Sequence, residues 1–151
     1  MDIAQIVDEN ISHADLARFR QVYMDQVGRG QVSGNDQFSY AHALIKSDKN
    51  NIKEGVKLLE TLLAKNNDGI PKRDTVYYLA LAHTRLKDYD RALAYLDALL
   101  SAEEHNRQAI ELKELVSKRM KIDGLWGLAL VSGSLVAFGA LAIGAILSGK
   151  K

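Results

Sequence analysis

The sequence predicts an all-α fold: a six-helix bundle whose central part is repeated, followed by one C-terminal transmembrane helix. Apolar residues recur at helical spacing throughout, and no stretch alternates as a half-buried strand does. Two similar stretches lie 38 residues apart, and a run of 26 residues, 124–149, carries no ionisable side chain. We therefore expect an N-terminal arm (1–11), a helical domain (12–123), a membrane anchor (124–149) and a basic tail (150–151).

Composition and charge exclude several classes of protein. The chain has 151 residues, 20 basic and 19 acidic side chains, a net charge of +1 and no cysteine. Without the two terminal lysines, residues 1–123 hold 18 basic and 19 acidic groups, a net charge of −1. This balance provides no electrostatic footprint for nucleic acid. The lack of cysteine excludes disulfide scaffolds, zinc ribbons and thiol nucleophiles, and it is consistent with a reducing compartment.

The arm and the first predicted helix are marked by a short apolar stripe and by a capping signal. The stripe consists of Ile3, Ile6, Val7 and Ile11. Ser12 and Asp15 then have the spacing of a capping box, in which each side chain satisfies a backbone N–H at the start of a helix. This first helix is expected to end at the glycine-containing segment 28–30.

Five further helices follow from apolar spacing and from the residues that interrupt it. The second ends near Ser47, and the third ends at the polar, glycine-containing run 66–69. Pro71 fits the first turn of the fourth helix, where its missing N–H costs nothing, and this helix extends to about Leu86. The apolar positions are Phe38, Ala41, Leu44 and Ile45 in the second helix, and Ile52, Val56, Leu59 and Leu63 in the third. They are Tyr89, Ala92, Leu93, Leu96 and Leu100 in the fifth helix, and Ala109, Leu112, Val116 and Met120 in the sixth.

The four central helices repeat as two pairs. Residues 40–46 (YAHALIK) resemble residues 78–84 (YLALAHT), 38 positions later. Gly55, with apolar residues four and seven positions later, recurs 37 positions on as Ala92. A small residue at this position lets paired helices approach closely, which is typical of tetratricopeptide (TPR) repeats. Two repeats are fewer than the three usually needed, so we expect the first and last helices to act as caps; the alternative is a generic helical bundle.

The uncharged run predicts a tail anchor. A helix of about 20 apolar residues spans a bilayer core of roughly 30 Å, and only Lys150 and Lys151 follow this one. Such a helix must insert after translation, which leaves the N-terminal domain in the cytosol. Small residues spaced by four would permit helix contact and a homo-oligomer. The anchor positions singled out are Leu125, Trp126, Gly133, Ala137, Gly144, Lys150 and Lys151.

No arrangement of residues suggests catalysis. His13, His42, His83 and His105 are scattered and lack the spacing of metal ligands. The phosphate-binding and nucleophile motifs of common enzymes are absent from the sequence. We therefore expect a protein that is not an enzyme and has no metal or cofactor.

The fourth predicted helix is the best candidate for a partner-binding groove. It is apolar all round over residues 76–82, with Val76, Leu79, Ala80 and His83 expected in the core. The opposite face would then line a groove with Asp74, Tyr77, Leu81, Thr84 and Arg85. The alternative is that this helix is simply central and is covered by the last helix or by the arm. The apolar stripe of the arm could itself occupy the groove as an autoinhibitory segment, or serve as a plain helical cap.

Several stretches resemble the mitochondrial fission 1 protein family, in order and over nearly the whole chain. They are residues 37–41 (QFSYA), 44–47 (LIKS), 55–60 (GVKLLE), 73–80 (RDTVYYLA), 85–89 (RLKDY) and 123–127 (DGLWG). The resemblance implies a non-enzymatic, tail-anchored adaptor of the outer mitochondrial membrane, and also of peroxisomes. Its partners would be dynamin-related GTPases or their adaptors, and Rab-regulating proteins.

The resemblance also implies which residues bind partners. The matching positions are the arm and Tyr40, Asp74, Val76, Tyr78 and Arg85. His42 stands where this family often has Trp, so a smaller, titratable ring replaces an aromatic anchor. The alternative function is a tail-anchored co-chaperone or preprotein receptor that binds C-terminal peptides. Such receptors use Lys and Asn where this chain has Tyr77 and Leu81, and only Arg85 fits their pattern.

Overall fold

The computed structural model describes residues 1–65 and 69–124 and contains seven α-helices in those residues. They are α1 (Ile3–Asp8), α2 (His13–Gly28), α3 (Gly34–Leu44), α4 (Lys49–Ala64), α5 (Lys72–Arg85), α6 (Tyr89–Ala102) and α7 (Arg107–Ile122). The all-α prediction is confirmed in this part of the chain, because it contains no strand. The count of six helices was wrong. The additional helix is α1, which lies inside the arm.

Local hydrogen bonds explain why α1 and α2 begin where they do. The side chain of Asp2 accepts from the Ala4 N–H, and Gln5 Oε1 accepts from the Asp2 N–H in return. This reciprocal cap stabilises a helix of only 6 residues. At α2, the Asp15 N–H donates to Ser12 Oγ at 3.0 Å, and that hydroxyl donates to the Asp15 carboxylate at 2.8 Å. Pro71 lies one residue before α5, at its N-cap.

The helices stack as two pairs with a cap at each end. α3 packs on α4 and α5 packs on α6, while α4 contacts α5 and joins the two pairs. α2 packs on α3, and α7 packs on α6, as expected for the terminal helices. The fully buried core contains one or more leucines from each of α3 to α7: Leu44, Leu59, Leu79, Leu96, Leu99 and Leu112. We call the surface formed by α3 and α5, the first helix of each pair, and by the terminal helix α7 the A-helix face.

Gly55 makes the close packing of α4 on α3 possible. A Cβ atom at this position would lie 2.8 Å from Ile45 Cγ2 and 3.0 Å from the carbonyl oxygen of Ala41. Both distances are shorter than ordinary van der Waals contact. The equivalent residue of the second pair, Ala92, is fully buried in α6. The small-residue spacing seen in the sequence therefore corresponds to a real helix contact.

The predicted membrane anchor lies, apart from Gly124, outside the described residues. Within 1–65 and 69–124, each helix is too short or too polar to cross a membrane. The anchor positions Leu125, Trp126, Gly133, Ala137, Gly144, Lys150 and Lys151 stay a prediction from the sequence.

Candidate partner-binding site

The arm packs against the A-helix face. Helix α1 contacts both α5 and α7. Val7 is fully buried and belongs to the main hydrophobic core, and Ile3 and Ile6 pack against that core from the arm. Beyond α1, the Ile11 N–H donates to the carbonyl oxygen of Lys46 at 3.0 Å, which brings the arm to the end of α3. The apolar stripe of the sequence is therefore the surface that the arm buries.

Arg85, the last residue of α5, holds the arm in place with its guanidinium group. Nη1 donates to the carbonyl oxygens of Val7 and, at 3.0 Å, of Glu9. Nη2 donates to Asn10 Oδ1 at 2.9 Å and to the Ser47 carbonyl oxygen at 3.3 Å. The Val7 carbonyl lies in the last turn of α1, where a helix has no internal donor for it. Arg85 thus supplies the missing donors at this helix end.

Two ion pairs fix the acidic end of the arm. Arg119 on α7 donates to both oxygens of Asp8, at 3.1 and 2.8 Å, in a bidentate arrangement. The Arg119 side chain is only 24% exposed, whereas the Asp8 side chain is 61% exposed. Lys46 Nζ lies 3.0 Å from Glu9 Oε2. Acidic residues of the arm therefore pair with basic residues from two separate parts of the fold, α7 and the end of α3.

A cavity of about 530 Å³ remains beside this junction. Its lining includes Asp8, Asn10, Thr84, Arg85 and Arg119. Arg85 Nε is buried there and has no hydrogen-bond partner among the described residues. Burial lowers the pKa of Arg85 from its usual value. The cavity therefore has a cationic wall contributed by α5 and α7.

An aromatic cluster joins α3 to α5 on the same face. The ring of His42 meets Tyr78 edge-on with centroids 4.6 Å apart, and Phe38 meets Tyr78 edge-on at 5.6 Å. Tyr77 contacts Tyr78 at 5.3 Å, also edge-on. Burial raises the pKa of Tyr77 to about 12 and lowers the pKa of His42, and the positive charge of Lys46 lowers the latter further. These rings form a half-buried aromatic surface.

The remaining residues expected in the groove are mostly buried. Val76, Leu81 and Thr84 are almost inaccessible, and Thr84 Oγ1 donates to the Ala80 carbonyl oxygen at 2.7 Å. Val7 of the arm lies in the same core cluster as Leu81, so the arm helps to cover this part of α5. Asp74 stays partly exposed at the first turn of α5, next to Arg73.

Tyr40 lies away from the A-helix face in a second, smaller core between α2, α3 and α4. It stacks on Tyr23 with ring centroids 4.9 Å apart. Its hydroxyl accepts from Arg20 Nε at 3.0 Å and donates to Glu54 Oε1 at 3.2 Å. In this structure, Tyr40 connects three helices.

Sequence reasoning missed Arg119, Asp8 and Lys46 as parts of the site. A signal was present, since Arg119 follows Leu112 and Val116 at helical spacing on the buried face of α7. A charge on an apolar face requires a partner of opposite charge.

These features define a class of protein. The described residues form a TPR-like helical array with an amphipathic arm packed on its A-helix face, and they contain no cluster of metal-ligating side chains. The family models of the Fis1 N-terminal and C-terminal tetratricopeptide repeats match residues 37–66 and 73–125. The chain is 46% identical to the FIS1-related protein fis-2 of Caenorhabditis elegans, over 93% of this chain and 94% of the relative. It is 41% identical to the mitochondrial fission 1 protein of Homo sapiens, over 97% of both chains. The chain belongs to the mitochondrial fission 1 protein family.

Solved structures agree with this assignment. The crystal structure of yeast Fis1 in complex with an Mdv1 fragment, which contains N-terminal extension and coiled coil domains, is similar with a TM-score of 0.71 and 29% identity. The match covers 82% of this chain and 95% of that chain. The solution structure of yeast Fis1 is similar with a TM-score of 0.69 and 28% identity, over 84% of this chain and 86% of that one.

Proposed function

We propose that this protein is a membrane-tethered adaptor of mitochondrial fission whose A-helix face binds a helical segment of a partner. The observation that carries the proposal is the packing of α1, a short amphipathic helix, on α5 and α7 with its end held by Arg85. A surface that accommodates one such helix has the chemistry to accept another. Membership of the family and the similarity to yeast Fis1 solved with an Mdv1 fragment support an adaptor role.

The partners we propose are a dynamin-related GTPase or its adaptors, with Rab-regulating proteins as a second class. The aromatic cluster around Tyr78 and the apolar groups beneath the arm provide the anchor surface, and Asp74 and Arg85 orient the bound segment. Burial of Tyr77 and Leu81 supports this function over a receptor for C-terminal peptides, which would need polar groups at those two positions.

The tail places this surface at the membrane. We propose a single-pass anchor in the outer mitochondrial membrane, and also in peroxisomes, with the N-terminal domain in the cytosol. Tethering raises the effective concentration of the groove near other membrane-bound factors. A fluorescent protein fused to residues 118–151 is expected to reach mitochondria, and purely endoplasmic-reticulum or cytosolic signal would refute the location. Ala137→Arg is the control, because a charge in mid-span costs about 3 kcal/mol and should prevent insertion.

The arm regulates access to the groove in this proposal. It buries the same surface that a partner would use, so the two compete. Loosening the arm with Val7→Ser should raise the affinity of the chain for its partner. Equal affinity of the variant and the wild type would contradict autoinhibition by the arm.

Proximity labelling from the anchored full chain tests the partner class. Enrichment of dynamin-related GTPases, their adaptors or Rab regulators is the expected result. Tyr78→Ser should abolish this enrichment, because Tyr78 is the central ring of the aromatic cluster. Phe19→Ser is the matched control: Phe19 is an aromatic residue with 40% exposure on α2, which is not one of the three helices of the A-helix face. Equal loss with both variants, or no enrichment with the wild-type chain, would contradict the proposal.

A further inference from the structure

Two arginines of the site have their hydrogen-bond donors directed at the arm. Arg85 donates to main-chain carbonyls at the end of α1, and Arg119 donates to the side chain of Asp8 through two bonds. The two guanidinium groups belong to different helices and line the same cavity of about 530 Å³. They recognise different features: Arg85 contacts a helix terminus, whereas Arg119 contacts a carboxylate.

Removal of the arm would leave this corner of the molecule with an excess of positive charge. Asp8 and Glu9 would depart, while Arg85, Arg119 and Lys46 would stay. Arg119 is largely covered, and Arg85 is half-buried with its Nε already unpartnered among the described residues. Partly buried guanidinium groups without acceptors are costly. An occupant that replaces the arm must therefore supply both carbonyl acceptors and a negative charge.

The arm shows which pattern satisfies these requirements. Its apolar side chains Ile3, Ile6 and Val7 lie at positions i, i+3 and i+4, and Asp8 follows at i+5. The helix ends directly after Asp8, so that its last carbonyls are free to accept from Arg85. The acidic residue lies in the last turn because it must reach Arg119, although an acid there is unfavourable for the helix dipole. The contact with Arg119 compensates for this.

We propose that Arg85 and Arg119 form a recognition site for the acidic end of a partner helix, and that the arm occupies it as an internal substitute. The partner segment is a short amphipathic helix with apolar residues at i, i+3 and i+4, a carboxylate at i+5 and a helix end immediately afterwards. Arg85 positions the helix end independently of its sequence, and Arg119 determines specificity for the acid. This inference rests on the proposed function, since it concerns what the same face binds.

Peptide binding to the full chain tests the inference. The receptor is the full chain in detergent micelles carrying Ile3→Ser and Val7→Ser, which loosen its own arm and leave α2–α7 unchanged. The probes are a fluorescent peptide of residues 1–11 and the same peptide with Asp8→Lys. Anisotropy should show that Asp8→Lys weakens binding by about tenfold or more. With Arg119→Glu in the receptor, the lysine peptide should become the better ligand.

The control is Lys121→Glu, which makes the same charge change at an exposed position of α7 and should keep the preference for the acidic peptide. Equal binding of the two peptides, no binding of either, or a preference that Arg119→Glu does not reverse would overturn the inference. This assay contains no fission factor. A negative proximity-labelling result would therefore refute the proposed function and leave the outcome of the peptide-binding assay unchanged.

A second measurement avoids the loosened receptor. In the otherwise wild-type chain, hydrogen exchange at the Val7 amide reports the docking of the arm. Asp8→Lys and Arg119→Glu should each accelerate exchange at least several-fold, and the two changes together should restore protection. Additive acceleration in the double variant would show that the two side chains do not recognise each other, and would overturn the inference.

Discussion

Gly55→Ala tests whether the close contact between α3 and α4 is required for stability. In an unconstrained helix, replacing Gly by Ala is favourable by about 1 kcal/mol. In this fold, the new methyl group would lie 2.8 Å from Ile45 Cγ2, 3.0 Å from the Ala41 carbonyl oxygen and 3.2 Å from Leu44 Cβ. Ile45 and Leu44 are fully buried and the carbonyl is backbone, so the surroundings cannot yield without moving α4.

The expected size of the effect follows from these two opposing contributions. Overpacking a tight core costs about 1–3 kcal/mol. Three contacts at 3.2 Å or less, one of them with backbone, put Gly55→Ala in the upper part of that range, about 2–3 kcal/mol, and the gain in helix propensity offsets about 1 kcal/mol of it. We expect Gly55→Ala to lower the free energy of unfolding by about 1–2 kcal/mol, or the midpoint temperature by about 3–8 °C. Gly28→Ala is the control, because no atom lies within 4 Å of the position its Cβ would take. That variant should gain about 0.4–1 kcal/mol.

Denaturant unfolding of the full chain in detergent, followed by far-ultraviolet circular dichroism, compares the stability of the wild type, Gly55→Ala and Gly28→Ala. A Gly55→Ala variant as stable as the wild type would refute the reasoning. So would equal stabilisation by Gly55→Ala and Gly28→Ala, since the helix contact would then impose no constraint.

Three further predictions concern other parts of the molecule. Arg85→Ala removes the donors to Val7, Glu9 and Asn10 and should accelerate hydrogen exchange throughout α1 by at least tenfold, while α4 and α6 keep their protection. Burial lowers the pKa of His42, with Lys46 adding to the shift and Glu9 opposing it, so the unfolded chain binds a proton at His42 more readily than the folded chain. The free energy of unfolding should therefore fall as the pH drops from about 7.5 through the ordinary histidine pKa of about 6.5, and His42→Phe should reduce this fall. Lys87 follows α5 with a φ of 60°, and Lys87→Gly should raise the free energy of unfolding by about 1 kcal/mol because glycine adopts this conformation without strain.

Each of these has a matched control. Arg73→Ala removes an exposed arginine from the other end of α5 and should leave hydrogen exchange in α1 unchanged. Equal acceleration by Arg73→Ala and Arg85→Ala would contradict the role of Arg85 in holding the arm. His105 is exposed, so His105→Phe should preserve the pH dependence, and identical pH profiles for His42→Phe and the wild type would refute the assigned cause. Lys87→Ala loses the same contact to Asp123 without relieving the backbone, so equal stability of the alanine and glycine variants would exclude strain.

The repeat and the core could be predicted from the sequence because both depend on local spacing. The recurrence of Gly55 as Ala92 identified the close helix contacts, and the apolar residues at intervals of three and four identified the buried faces. The sequence also indicated that the arm is amphipathic. The arm was not among the six predicted helices, and six residues form a stable helix only with a cap and a docking surface.

The geometry of the site could be predicted only in part, because it depends on contacts between distant residues. Arg85 was recognised as a candidate, but its partners on the arm lie more than 70 positions away in the sequence. Arg119 and Asp8 are 111 positions apart, and neither residue type is unusual at a surface. Tyr40 could not be assigned from the sequence, since periodicity does not distinguish a side chain facing α2 from one facing the A-helix face.

The central claim is that the partner and the arm use the same surface, and the burial of Val7 provides the most direct test. The chain has no cysteine, so Val7→Cys introduces a single thiol at a fully buried position of the arm. Its rate of reaction with a maleimide should be low in the full chain and comparable to that of a free thiol when the arm is displaced. Adding the dynamin-related GTPase or adaptor recovered by proximity labelling should accelerate the reaction severalfold. Binding of that partner with no change in the labelling rate would contradict the account.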